Sequence, residues 1–323
     1  MPTHDGSTTS LSYDALWPRA GSWGPPVDGD QVDLALVGIP THRLSLSPSN
    51  AHKTPAAIRE ALRRYSAHVA TDDRRSLGRV LDDDLRIFDF GDVEDPDSEL
   101  GESVATARVA EIAERARLAM FLGGDNSLTV PAALGVAGDN LDRAGLITLD
   151  AHHDLRDGRS NGSPVRRLIE AGLNPRRVVQ IGIADFANSQ AYRQRALDLG
   201  ITVIHRDELF ERSLSEIAAE ALGVAGAGGG PVHVDVDVDV CDRSVAPGCP
   251  ASIPGGLQAH ELRRLTRAFA RSPLVRGIDI AEVDASADSA DGRTVRLAAL
   301  TVLEAAAGLA ERTARPTAGE GPS

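Results

Sequence analysis

His233-Val234-Asp235-Val236-Asp237-Val238-Asp239 alternates apolar and acidic residues without a break, and the fold turns on how that alternation is read. Strict alternation marks a strand with one dry and one wet face. In an antiparallel protein that meaning would stand. Here the segment falls seventh in a series of strand-like apolar runs at 32–38, 85–90, 118–122, 144–149, 178–183, 201–204, 232–240 and 275–283. Helical patterns lie between most of them, at 55–65, 103–117, 127–136, 190–199, 259–269 and 296–310. Strands alternating with helices make βαβ units and a parallel sheet covered on both faces. An acidic face buried in such a sheet is costly without counter-charge, and bound metal supplies it.

The expected architecture is therefore α/β: a three-layer α/β/α domain over residues 31–312 with a mostly parallel sheet of about eight strands. An irregular Gly- and Pro-containing leader precedes it (1–30) and a polar tail follows (313–323). The glycine-rich stretch 225–230 reads as a hinge loop before the seventh strand.

Two further islands close apolar runs: Gly123-Gly124-Asp125-Asn126-Ser127 and Asp150-Ala151-His152-His153-Asp154. The carboxyl ends of parallel strands are where ligands collect. The plain reading of the first island is a glycine turn capping a helix, and of the second a solvated loop. The second resists that reading, because two aspartates and two histidines would be buried with no evident partner. On an extended backbone Asp150, His152 and Asp154 face one way and His153 the other. By the same parity Asp237 and Asp239 lie nearest the end of their strand and Asp235 lies deeper. Such an oxygen-rich set, with an imidazole and no thiolate, suits two divalent cations and favours Mn²⁺ over Zn²⁺.

Bulk properties narrow the field. A chain of 323 residues with 42% apolar and 25% charged residues suits a soluble enzyme-sized domain. A net charge of −13, 3% aromatics and no basic stripe argue against nucleic acid and anionic membranes as partners. Cys241 and Cys249 are too few for a disulfide framework. The absence of a basic and apolar leader at Met1 leads us to expect a cytoplasmic protein.

Taken together the motifs resemble the ureohydrolases: arginase, agmatinase, formimidoylglutamase and relatives. The resemblance rests on the three islands, and on Gly38-Ile39-Pro40, Thr54-Pro55-Ala56-Ala57-Ile58-Arg59, Phe90-Gly91-Asp92-Val93, Asp242 with Ala246-Pro247-Gly248, and Asp279-Ile280-Ala281-Glu282-Val283. It implies two Mn²⁺ ions, a homo-oligomer (trimer or hexamer) and hydrolysis of an amidine or guanidine C–N bond by metal-activated water. By position, Asp150 and Asp237 would bridge both ions, Asp154 would complete one site, and His152 with Asp239 the other. Asn126 stands where the family has a histidine ligand, and Asn161 where arginase has a proton-shuttling histidine. The latter change, with Asp154-Leu155-Arg156 and Gly162-Ser163-Pro164-Val165-Arg166, is closer to formimidoylglutamases.

The leading expectation is hydrolysis of N-formimidoyl-L-glutamate to glutamate and formamide in histidine degradation. A formimino carbon is less crowded and less resonance-stabilised than a guanidinium, so it needs less help from a shuttle histidine. Asp154 would move the proton and Glu282 would orient the amidine nitrogens. Asn161, Arg156, Arg166 and Arg43 are the candidates for holding the acidic substrate, with Arg159 beside them. N-formylglutamate deformylation, agmatinase or other guanidino hydrolysis, and a metal-poor pseudoenzyme are the alternatives.

Overall fold

The computed structural model describes residues 11, 14–27, 29–71 and 73–313. The start of the leader and the tail from 314 onward lie outside them. In chain order the strands are β1 (Val32–Ile39), β2 (His68–Val69), β3 (Arg79–Val80), β4 (Ile87–Asp92), β5 (Ala116–Gly123), β6 (Gly145–Leu149), β7 (Val178–Ile183), β8 (Thr202–His205), β9 (Val232–Asp237) and β10 (Val275–Ala281). The helices are α1 (Thr54–Leu62), α2 (Leu81–Asp84), α3 (Glu99–Arg115), α4 (Thr129–Ala137), α5 (Pro164–Ala171), α6 (Gln190–Leu199), α7 (Glu208–Glu211), α8 (Leu214–Ala225), α9 (Ala259–Arg271) and α10 (Arg293–Thr313).

Eight strands form one sheet in the order β4-β1-β5-β10-β9-β6-β7-β8, and all of its pairings are parallel. The expected α/β/α sandwich is what forms. Pleating sends alternate residues of each strand into two different cores. Leu34 and Leu36 of β1, Met120 and Leu122 of β5, and Val234 and Val236 of β9 join α1, α8, α9 and α10 on one face. Ala35, Val37, Ala119 and Phe121 meet α3 and α4 on the other, and Leu146 and Val178 meet α5 and α6. Burial on both faces explains why most of these strands read as continuous apolar runs.

Helix starts follow local chemistry. Ser98 and Ser189 accept the free backbone N–H groups that open α3 and α6, and Ser213 with Glu216 forms a reciprocal cap on α8. The visible part of the leader is tied down: the Trp23 indole donates to Asp82 (2.8 Å), the Asp89 amide donates to the Gly24 carbonyl, and Ala20 is fully buried.

Several expectations need correction. The β2–β3 hairpin and the helices α5 and α8 were not anticipated. The stretch 225–230 is not a hinge loop: Ala225 is the last residue of α8, and Gly226–Gly228 is a 3₁₀ turn. Its Ile217, Ala218, Ala221 and Ala225 make a buried helical stripe that the following glycines masked. The acidic strand stops at Asp237, and Val238–Val240 turns as 3₁₀. Thr313, assigned to the tail, closes α10.

Candidate metal centre

The four strands in the middle of the sheet, β5, β10, β9 and β6, each deliver polar residues at their carboxyl ends. After β5 the chain turns where Gly124 touches the β1 loop, since a β-carbon there would sit 2.0 Å from the Thr41 carbonyl oxygen. Asp125 then caps the 3₁₀ turn holding Asn126 by accepting from the Ser127 amide. β6 ends at Leu149, so Asp150, His152 and Asp154 do not share a face by strand parity. They meet because the chain curls back: the His152 amide donates to Asp150 Oδ1 (2.6 Å), and Asp154 takes a left-handed backbone, φ 52°. Asp239 reaches the centre the same way, its amide donating to Asp237 Oδ1 (2.8 Å).

His152 Nδ1 lies 2.7 Å from Asp239 Oδ2 and 3.4 Å from Asp150 Oδ1. One ligand atom from each of Asp150, His152 and Asp239 lies within 4.8 Å of the others. Asp237, Asp154 and Glu282 face the same cavity of about 490 Å³, which also meets Arg156, Asn161 and Tyr192. Asp150 Oδ2 is buried with no hydrogen-bond partner, the state expected of an oxygen reserved for a cation. The donor set therefore fits a divalent metal.

Charge crowding follows from this burial. Burial and then the Asp239 charge push Asp150 up to about 7. Burial, reinforced by Asp125, pushes Glu282 up to about 8. Burial chiefly raises Asp154 and Asp237 as well. For His152 burial acts downward, but Asp239 and Asp150 outweigh it and raise the ring to about 12. Asp239, held by that cation, is lowered despite its burial.

Around this core the amides are committed. Asn126 donates from Nδ2 to Asp154 Oδ2 (2.7 Å) and accepts from the Thr129 hydroxyl (2.8 Å), while its backbone N–H donates to Glu282 Oε1 (2.7 Å). Asn161 donates to the same Glu282 oxygen (2.8 Å) and accepts from the Leu46 amide (3.0 Å). It thus ties the rim of the cavity to its floor. His153 faces away and pairs through Nδ1 with Gln180 (2.7 Å). Asp235 sits deeper, its two oxygens buried and without hydrogen-bond partners outside the neighbouring acid Asp279.

Of the four candidate arginine and amide contacts, Arg156 and Asn161 line the cavity. Arg43 and Arg166 do not, and are corrected. Arg43 is largely exposed and pairs with Asp95 at 2.9 Å. Arg166 donates to the carbonyls of Arg156 (2.6 Å) and Gly158 and pairs with Glu170, so it braces the loop carrying Arg156. Arg159 is likewise spent on the Asp97 carbonyl and Glu102.

The sequence reading missed the loop after β7. Phe186 and Asn188 of that loop, with Tyr192 in the first turn of α6, line the cavity, and the strand-end rule applied to β7 points to this region. Among the described residues four non-glycines have positive φ, and three of them, Asp154, Phe186 and Glu282, border this cavity. Each such backbone costs about 1–3 kcal/mol and persists where surrounding structure enforces it.

The chain belongs to the arginase family, whose profile it matches over residues 32–308. Within that family it is similar to the formimidoylglutamase of Bacillus subtilis (strain 168), at 34% identity over 87% of this chain and 89% of the relative. It is 36% identical to the formimidoylglutamase of Halobacterium salinarum over 88% and 90% of the two chains. The crystal structure of formimidoylglutamase from B. subtilis subsp. subtilis str. 168 superposes with a TM-score of 0.84 at 32% identity, covering 94% of this chain and 95% of that one. A structure of Trypanosoma cruzi formiminoglutamase with Mn²⁺ shares the fold, with a TM-score of 0.79 at 23% identity, over 91% and 99% of the chains.

Proposed function

We propose that this arginase-family hydrolase cleaves N-formimidoyl-L-glutamate to L-glutamate and formamide, the linear-amidine step of histidine degradation. The observation that carries the reading is the formimidoylglutamase likeness at 34–36% identity across nearly the whole chain. The arrangement of Asn161 agrees with it. Its amide is locked between Leu46 and Glu282, so no imidazole stands there to shuttle protons to a guanidine.

Asp150, Asp154, His152, Asp237 and Asp239 would hold manganese, which we infer to bind as a pair, with water completing the coordination beside Asp154, where Asn126, expected as a ligand, presents its amide N–H instead of its oxygen. Bound metal supplies Lewis acidity and lowers the pKa of water. Glu282 orients the amidine by accepting its N–H groups, and a cationic amidinium favours the ionised carboxylate despite its burial. Water oxygen bonds to the formimidoyl carbon, and the bond from that carbon to the glutamate nitrogen breaks. Asp154 takes a proton from the water and returns it to the leaving nitrogen. Arg156 at the cavity wall grips a substrate carboxylate through its two-pronged guanidinium. The glutamate tail is thereby separated from the eight acidic side chains buried at or below the centre: Asp125, Asp150, Asp154, Asp235, Asp237, Asp239, Asp279 and Glu282.

The test is product release from a panel of N-formimidoyl-glutamate, N-formyl-glutamate, agmatine and arginine, with metal content measured on the same sample. Formamide and glutamate from the first compound are expected. Faster turnover of the formyl amide or of a guanidine would overturn the assignment.

A further inference from the structure

We propose that Phe186 is a specificity residue whose ring covers the methylene chain of the bound substrate's tail. This inference rests on the amidine-hydrolase reading and deepens it. Phe186 borders the mouth of the catalytic cavity and yet is fully exposed. Among the described residues it makes no ring stacking or cation contact. A bulky side chain left in water on a left-handed backbone, φ 63°, is unfavourable on both counts.

The loop is nonetheless held in this shape. Asn188 donates to the carbonyls of Ala151 (2.8 Å) and Ala184 (3.2 Å), and accepts from the His153 amide (3.0 Å). The Ala184 amide donates to Ala151 as well. The backbone on either side of Phe186 is therefore braced from the segment that carries His152, so the loop's position is referenced to the reacting centre. Leu46, Tyr192 and Pro250 border the same cavity. With Phe186 they supply apolar surface to a cavity whose lining also includes the acids Asp154, Asp237, Asp239 and Glu282. A ligand with its amidine at these acids and a carboxylate at Arg156 must carry its methylenes between the two. An aromatic face laid over them excludes water at little entropic cost, because the ring has few rotatable bonds.

The length of tail that fits is then set at Phe186, and the experiment reads that length. Metal-loaded wild type, Phe186→Ala, Phe186→Leu and Phe186→Gly are assayed on N-formimidoyl-glutamate and N-formimidoyl-glycine, with light scattering and melting curves. Phe186→Ala should raise KM for the glutamate compound about tenfold and for the glycine compound less than about twofold. Phe186→Leu should recover most of the loss. Phe186→Gly should raise KM like the alanine variant while its Tm stays at or above that of wild type, because glycine accepts the backbone conformation. Equal KM changes on the two substrates, no change on either, or a lower oligomer mass in Phe186→Ala would overturn the proposal, the last by assigning the ring to a contact between copies. Wild type that turns over neither compound would overturn the reaction assignment and this inference with it. Turnover with a flat KM comparison would overturn the role of Phe186 alone.

Discussion

Asn126 presents its amide nitrogen, not its oxygen, to Asp154 at 2.7 Å, and its oxygen is taken by the Thr129 hydroxyl. A carboxylate opposite an amide selects the donor end, so a cation beside Asp154 would gain no ligand from Asn126 as it stands. On the proposed pair of metal sites, the Asp154 side should empty first on dialysis, taking bound Mn²⁺ from two per chain to one. Asn126→His should tighten that side by about tenfold or more, since imidazole is the better donor. Equal affinities in the wild type, or an unchanged titration in the variant, would contradict this.

Asp150 and Asp237 are proposed to touch both ions. Asp150→Ala or Asp237→Ala should each remove most of the bound metal and nearly all turnover. Asp235→Asn should be milder, with a loss of ~10–100-fold, as expected of a residue that supports ligands without being one. Equal damage from Asp235→Asn and Asp237→Ala would place Asp235 among the ligands.

The metal-free chain should lose stability as pH rises. Asp150 moves from an ordinary 3.8 to about 7, Glu282 from 4.5 to about 8 and His152 from 6.5 to about 12. Between each pair of values the folded chain holds a proton that the unfolded chain has released, so each contribution is lost with increasing pH. The Tm of chelator-treated protein should therefore fall from pH 6 to pH 9. Manganese should raise Tm more at pH 8 than at pH 6, because fewer protons must be displaced. A Tm that climbs with pH in the metal-free sample would refute these assignments.

Arg156→Ala should raise KM for an acidic substrate about tenfold or more and leave metal content intact. Arg166→Ala should do less to KM and more to Tm, since that guanidinium bonds the loop carbonyls beneath Arg156 and not the cavity. The reverse ranking would restore Arg166 as a substrate contact.

The sheet was legible because both of its faces are buried, which turns strands into apolar runs with polar residues crowded at their ends. The short β2–β3 hairpin left no such trace: it is only half buried, with two residues in each strand. The acidic and histidine groups of the centre could be listed from the sequence, but not by the mechanism of strand parity. Backbone amides and a left-handed Asp154 bring them together, and neither has a sequence signature. The arginines were least legible. Arg43, Arg156 and Arg166 all follow strand ends in sequence, and only the folded loops decide that one faces the cavity while the others are spent on Asp95 and on carbonyls.

The proposed ligands hang from β9 and β6, and Glu282 and Asn126 follow β10 and β5, so the centre is built on the four central strands of the sheet. Each is laced to a neighbour on both sides, whereas β4 and β8 have a free edge. Opening of the chain should therefore begin at β4 and β8, and amide hydrogen exchange should be slowest in the strands beneath the centre. Stripping the metal should speed exchange in the turns at Asn126, His152 and Asp239 but leave those inner strands protected. The apo chain would then be a ready-made receptor that takes up its ions without refolding.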